Sequence, residues 1–437
     1  MLRILSRPAT RLMERWLPDA FVFVLILTLV VMLAAIGIEG ANPLDIIVMW
    51  GDGFWKLLSF AMQMLLVLVT GFILATSPPV RRLLEWLAGF AKTAGAAIIM
   101  VTLVSLAASW LNWGFGLVVG AIFARELARQ VKVDYRLLVA SAYSGFVIWH
   151  GGISGSIPLT VATPGHFTES VIGIIQTSAT IFAWWNLLIV ALIFAALPLI
   201  NYMMMPREDE VVLVDPSKLG SKTDPEPLGP NATPAERLEN SRILMWVVGI
   251  PGVIWLVQYF AGGGGLNLDV VNFLFLFVGI ILHGTARSLL AALEEAVKGG
   301  AGIVLQFPFY AGIMAIMTGS GLAATLSEWF VAISTAQTLP FWSFISAGII
   351  NIFIPSGGGQ WAVQAPIMLP AAQALNADIP KVIMGVAWGD AWTNLLQPFW
   401  ALPMLGIAGL KPRDIMGFCV VALLFTGSII GTVLLLA

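Results

Sequence analysis

Apolar runs of close to 20 residues recur from one end of this 437-residue chain to the other. As a helix rising about 1.5 Å per residue, such a run crosses the roughly 30 Å hydrocarbon core of a bilayer. Composition agrees, with 59% hydrophobic and 11% charged residues and a mean hydropathy of +0.92. A soluble domain carries about 25% charged residues. The chain reads as an all-α polytopic membrane protein with no sizeable soluble domain. Its expected surroundings are lipid, not nucleic acid.

The spans fall near 18–38, 54–76, 94–124, 137–164, 171–199, 243–261, 268–286, 300–320, 340–370, 382–408 and 415–436. Ahead of the first, Arg3, Arg7, Arg11 and Arg15 are spaced by four. They line one helical face, which predicts an amphipathic helix over 1–17 on the cytoplasmic surface. The apolar stretch that follows is longer than the roughly 7–15 residues of a cleaved signal core, so it is read as a retained span. The single cysteine, Cys419, excludes an intramolecular disulfide framework and a cysteine-based metal cluster. Runs 94–124 and 340–370 are too long for a simple span. They break at Leu111–Gly116 and at Ile354–Gln360, and each is read as a re-entrant helical hairpin or as a pair of tight full spans.

The chain also repeats itself. Leu83-Leu84-Glu85-Trp86-Leu87 resembles Leu326-Ser327-Glu328-Trp329-Phe330; Val133-Asp134-Tyr135 resembles Ala377-Asp378-Ile379; Gly145 falls on Gly389. These matches share an offset of 243 or 244. Basic residues then set the orientation, because cytoplasmic loops are enriched in them. With the N-terminus inside, segments 1–17, 77–93, 125–136, 206–242, 283–298 and 409–414 are cytoplasmic and hold 20 of the 22 Lys and Arg residues. Lys56 and Lys381 sit at span edges, where they can snorkel outward. Loops 77–93 and 125–136 are basic, whereas their counterparts 320–336 and 369–380 have no Lys or Arg. Equivalent loops are thus expected on opposite faces, with the C-terminus outside.

The predicted organisation is two inverted-topology repeats, each with a re-entrant hairpin and a broken helix. The first covers 18–199, with hairpin 94–124 and broken helix 137–164. The second covers 265–437, with hairpin 340–370 and broken helix 382–408. Helix 243–261 is the odd crossing that inverts the second copy. Segment 200–242 is a cytoplasmic linker. Its part 206–242 holds six prolines, eight acidic and five basic residues and is expected to have no fold of its own. The sequon at Asn231 is followed by proline on the cytoplasmic side, which argues against glycosylation.

Inverted repeats with broken helices point to secondary transport, with substrate and ion held where the breaks meet. Unwound backbone at membrane depth must be buried or line a wet cavity. Candidate binding residues in the first half are Asn112, Gly114, His150, Gly151, Gly152, Ser154 and Ser156. In the second they are Asn351, Ser356, Gly357, Gly358, Gly359, Gln360, Asp390, Thr393, Asn394 and Gln397. Glycines in this set have an alternative role in close helix packing. Asp390 is an ion-coupling carboxylate or a helix cap; His150 is a ligand or a hydrogen-bonded structural histidine. A coupling Na⁺ is expected near Asp390 and Asn394, or else a proton. No cofactor and no structural metal are expected.

Several stretches carry a resemblance: Trp50-Gly51-Asp52-Gly53-Phe54-Trp55, Asn112–Ala121, Gln306–Ile313, Pro355–Trp361 and Gln397–Pro403. They are similar, essentially end to end, to the bacterial short-chain fatty acid uptake transporters, a family that includes acetoacetate and butyrate permeases. The resemblance implies a place in the ion transporter superfamily, with a scaffold, an elevator-like transport domain and often a homodimer. It also implies a bacterial inner-membrane location and a small carboxylate substrate. Superfamily relatives carry Ser-Asn-Thr signatures near the hairpin tips. This chain has Asn112-Trp113-Gly114 and Ser356-Gly357-Gly358 instead.

Other classes are weaker. Gly152-Ile153-Ser154-Gly155 matches the G-x-S-G pattern of rhomboid-type intramembrane proteases, which need a histidine on another helix to activate the serine; His150 shares the broken segment with Ser154, and His166 and His283 are assigned to membrane edges. A channel is a further reading, and no G-x-x-x-x-G-K-[ST] phosphate loop supports a primary pump. The expected function is cation-coupled import of short-chain monocarboxylates, not an enzymatic one.

Overall fold

The computed structural model describes residues 20–214, 219, 229 and 232–437. The expected helix over 1–17 and the Asn231 sequon lie outside these residues. All regular structure among the described residues is helical. Eight of the helices are long and apolar enough to cross a membrane, among them Leu58–Thr76, Ala94–Leu111, Ala301–Gly319 and Pro412–Leu436.

The element order is duplicated. Pro43–Gly53, Leu58–Thr76, Pro78–Ala88, Ala94–Leu111, Trp113–Gln130 and Tyr135–Ser144 recur in turn as Ala286–Lys298, Ala301–Gly319, Leu322–Ile333, Leu339–Ile350, Gly357–Leu375 and Ile379–Thr393. The short sequence matches fall on equivalent local structure. Asp134 and Asp378 are both N-caps, accepting from the N–H of Leu137 at 3.0 Å and of Lys381 at 3.1 Å. Asn112 and Ser356 both cap the return arm of a hairpin, accepting from the N–H groups of Phe115 and Gly359. Gly145 lies against Ser105 and Leu106, and Gly389 against Phe344 and Gly348. A side chain at either position would push the broken helix off its hairpin.

The halves also exchange partners. Pro43–Gly53 packs on Ala301–Gly319 of the second half, while its counterpart Ala286–Lys298 packs on Leu58–Thr76 of the first. Ala20–Glu39 and Leu268–His283 exchange in the same way. Each hairpin keeps its own broken helix: Ala94–Leu111 packs on Gly145–Gly151, and Leu339–Ile350 on Ile379–Thr393. The two broken helices then meet each other, placing the site between the halves.

Several boundaries differ from the sequence expectation. The first hairpin runs to Gln130 with a single non-helical residue, Asn112, so Trp113–Gly116 form the first turn of a helix. In the second, the interruption is 351–356, and Gly357–Gln360 are likewise a first turn. The reason is the capping by Asn112 and Ser356, which satisfies N–H groups that otherwise favour unwinding. The first broken helix is a 3₁₀ turn at Gly145–Gly151, a coil at 152–155 and a helix at Ser156–Ala162. In the second, helix Ile379–Thr393 continues past Asp390, and the break is Asn394–Leu396 plus Gln397. Run 171–199 is not one span. Its helix begins at Trp184, after an irregular stretch that starts at Gly173, with φ 63°.

The linker is not structureless throughout. Val212 accepts from the Tyr135 N–H and donates to Asp134, both at 2.9 Å. The Arg129 guanidinium donates to the Leu219 carbonyl at 2.8 Å. Further on, Thr233 and Glu236 form a capping box that starts helix Pro234–Glu239.

Candidate functional site

The centre of the site is a buried pair contributed by the two halves. His150, in the 3₁₀ turn of the first broken helix, places Nε2 3.1 Å from Oδ2 of Asp390 in the second. Both side chains are fully buried. Asp390 accepts no backbone N–H; its second contact is the Asn394 amide at 3.5 Å. The cap of its helix is Asp378, so the capping alternative for Asp390 falls away.

A polar cluster extends from this pair along the second break. The Asn351 amide nitrogen lies 2.9 Å from the Asp390 carbonyl, 2.9 Å from Thr393 Oγ1 and 2.8 Å from Asn394 Oδ1. Three oxygens thus compete for two N–H bonds. Gln397 donates to the Asn351 carbonyl. Tyr143, from the first half, donates to the carbonyls of Asn394 and Gln397 and ties the break down from the opposite side.

The second hairpin tip closes over the pair. The position a side chain would take at Gly357 is occupied by His150 Nε2 and Ser156 Oγ. Gly358 abuts Phe60, and Gly359 abuts the ring of Tyr310, whose hydroxyl donates to Gln306 at 3.0 Å. Gln360 points away along the hairpin, donating to the Ala347 carbonyl at 2.8 Å and to Gln364 at 2.7 Å.

The first hairpin tip reaches the site through Ser154, whose Oγ accepts from the Trp113 N–H at 2.9 Å. Gly152 passes over the Trp110 carbonyl, and Ile153 donates to that carbonyl at 2.7 Å. Asn112 faces the Val67 carbonyl and Gly71, and Gly114 lies against Leu68, so these two residues pack the tip on Leu58–Thr76. Gly151 is held by Asn186, whose amide donates to its carbonyl at 3.1 Å; the Asn186 amide oxygen accepts from the Trp388 indole at 2.9 Å. Sequence reasoning missed Tyr143, Asn186, Gln306 and Tyr310. The signal available was a polar residue inside an apolar run.

Buried polar atoms around this junction without a hydrogen-bond partner include His150 Nδ1, Asp390 Oδ1, Ser156 Oγ, Asn351 Oδ1 and Gln360 Oε1. Each such atom costs about 1–3 kcal/mol unless something supplies a bond. Neither Lys nor Arg occurs in 145–162, 351–375 or 382–408, and the basic residue nearest to Asp390 in sequence is Lys381, at the start of its helix. Among the described residues no group of three or more His, Cys, Asp or Glu side chains suits a metal ion. The protease geometry is not formed either: the Ser154 hydroxyl meets the Trp113 N–H and makes no hydrogen bond to His150, whose Nε2 faces Asp390.

Known proteins are similar to this chain over nearly its whole length. A family described as "Short chain fatty acid transporter" matches residues 1–437. The chain is 46% identical over 432 residues to an Escherichia coli K12 protein named "Putative short-chain fatty acid transporter", with 98% of each chain covered. A Haemophilus influenzae protein of the same name is 44% identical over 439 residues, again with 98% of each covered. In fold, the chain is similar to the crystal structure of the Alcanivorax borkumensis YdaH transporter, reported to have an unusual topology. The TM-score is 0.57 at 15% identity, over 95% of this chain and 98% of that one. A multi-pass helical chain with this end-to-end likeness belongs to the short-chain fatty acid transporter family.

Proposed function

We propose that the protein imports short-chain monocarboxylates of the acetoacetate and butyrate class across a bacterial inner membrane, driven by Na⁺ or H⁺. The observation that carries this reading is the His150–Asp390 pair, fully buried where hairpin tips and broken helices from both halves converge. Ionisable residues at such depth are costly and mark ion or substrate pathways. A carboxylate arriving here meets no Lys or Arg side chain in the broken helices or the second hairpin's return arm. Its charge is met by the N-terminal ends of Trp113–Gln130 and Gly357–Leu375 and by the unpartnered Ser156 hydroxyl. The carboxylate and carbonyl oxygens of Asp390, Asn351 and Asn394 are the chemistry a hard cation takes.

Inversion of the repeats, with the N-terminus cytoplasmic, supports alternating access by movement of the hairpin and broken-helix unit against the partner-exchanging helices. The elevator form of that movement and a homodimer are part of the same reading. Uptake of labelled butyrate and acetoacetate into proteoliposomes, under separate Na⁺ and pH gradients, tests it. Saturable, gradient-driven accumulation is expected. Linear flux that ignores both gradients points instead to a channel.

A further inference from the structure

We propose that the coupling ion is a proton, carried together with the substrate by the His150–Asp390 pair. This rests on the transport function proposed above. The first argument is what already fills the oxygen-rich part of the site. The three oxygens of Asp390, Thr393 and Asn394 that converge do so on the amide nitrogen of Asn351, at 2.8–2.9 Å. An N–H donor thus stands where a Na⁺ ion would gather the same ligands. Oδ2 of Asp390 is likewise taken by the imidazole nitrogen of His150.

The second argument is charge balance. The groups facing the pair are few. Gly357–Leu375 brings Gly357, without a side chain; Ala301–Gly319 brings the phenol of Tyr310; Tyr135–Ser144 brings the phenol of Tyr143. Leu58–Thr76 contributes Phe60 and Met64 at the hairpin tip and carries no ionisable residue. No Lys or Arg lies in 58–76, 301–319, 357–375 or 382–408. With Asp390 ionised, an arriving carboxylate adds a second negative charge with no cation to offset it, in a water-poor setting where repulsion is strong. A proton bound by the pair removes that repulsion. Acid anion and proton then load together without net charge, and both leave on the cytoplasmic side; no covalent bond to substrate forms.

The third argument is access for the proton. His150 Nδ1 and Asp390 Oδ1 are buried and unpartnered, so a proton can arrive on either without breaking the link between Nε2 and Oδ2. Because the two residues come from different halves, the proton also acts on the contact between those halves.

The test uses the full chain in proteoliposomes, in weakly buffered, Na⁺-free choline medium with no initial pH difference. Adding acetoacetate should make the outside medium alkaline as the acid enters, beyond the leak of protein-free vesicles, and a K⁺ diffusion potential should leave the rate unchanged. Asp390→Asn and His150→Gln, checked for normal insertion and elution, should lose the alkalinisation down to the protein-free level. Na⁺-dependent uptake without alkalinisation in the wild type overturns the inference while leaving the transport reading intact. Well-inserted variants that keep the wild-type proton signal overturn it as well. Absence of uptake under every gradient overturns the transport reading, and this inference with it.

Discussion

At the scale of single residues, the site is organised by what glycine allows. Gly357 brings the backbone of the second hairpin tip onto His150 and Ser156, and a methyl group there collides with an imidazole that is itself held by Asp390. Overpacking of this kind costs about 1–3 kcal/mol, and 1.4 kcal/mol is a factor of about ten. Gly357→Ala is therefore expected to lower initial uptake about tenfold with normal membrane insertion. Gly37→Ala, where nothing lies within 4 Å of the added carbon, should transport as the wild type does. Equal uptake by both variants refutes the close contact at the tip. Asp390 and His150 were visible in the sequence because ionisable residues inside apolar runs are rare. Their mutual contact was not, since 240 positions separate them. The glycines of 357–359 read as unwound backbone, because a first helical turn and a coil have the same composition when a neighbouring serine supplies the cap.

At the scale of elements, breaks in hydrophobic continuity located the hairpins and broken helices, and their exact ends depended on caps. Asp134 and Asp378 are equivalent caps with unequal duties. Asp378 caps its helix and lies 4.0 Å from Lys381. Asp134 caps its helix, pairs with Arg136 at 2.8 Å and accepts from the Val212 N–H in the linker. Loss of a capping side chain typically costs about 1 kcal/mol. Asp134→Ala should lower the unfolding midpoint in detergent more than Asp378→Ala, because it also releases the linker segment at Val212. Equal midpoints mean the linker contact adds nothing to stability. No periodicity announced that contact: Val211 to Val214 lies among prolines and charges, and only its docking on the helix start gives it a defined place.

At the scale of the whole molecule, the few residue matches at offsets of 243 and 244 fall within two runs of helices in the same order, and these runs exchange packing partners across their interface. Charge is what makes the duplication asymmetric. The loop before the first hairpin holds Arg81, Arg82 and Lys92, and its counterpart before the second holds no basic residue. Under the positive-inside rule the two loops belong on opposite faces, an arrangement that requires an odd crossing between the halves, for which helix Arg242–Ala261 is the candidate. Lys92 and Ala336 lie at the ends of these two loops, and both are exposed. The native cysteine, Cys419, is fully buried, so the background in a labelling experiment is low. Lys92→Cys should react with a membrane-impermeant thiol reagent only after the cells are opened, and Ala336→Cys should react in intact cells. Both substitutions leave the site untouched, so uptake serves as the check that each variant is folded. Labelling of the two positions from the same side, in variants that still transport, would mean that the repeats run parallel. The hairpin tips would then open toward one face of the membrane, and access from alternate sides would need a mechanism other than the exchange of two inverted halves.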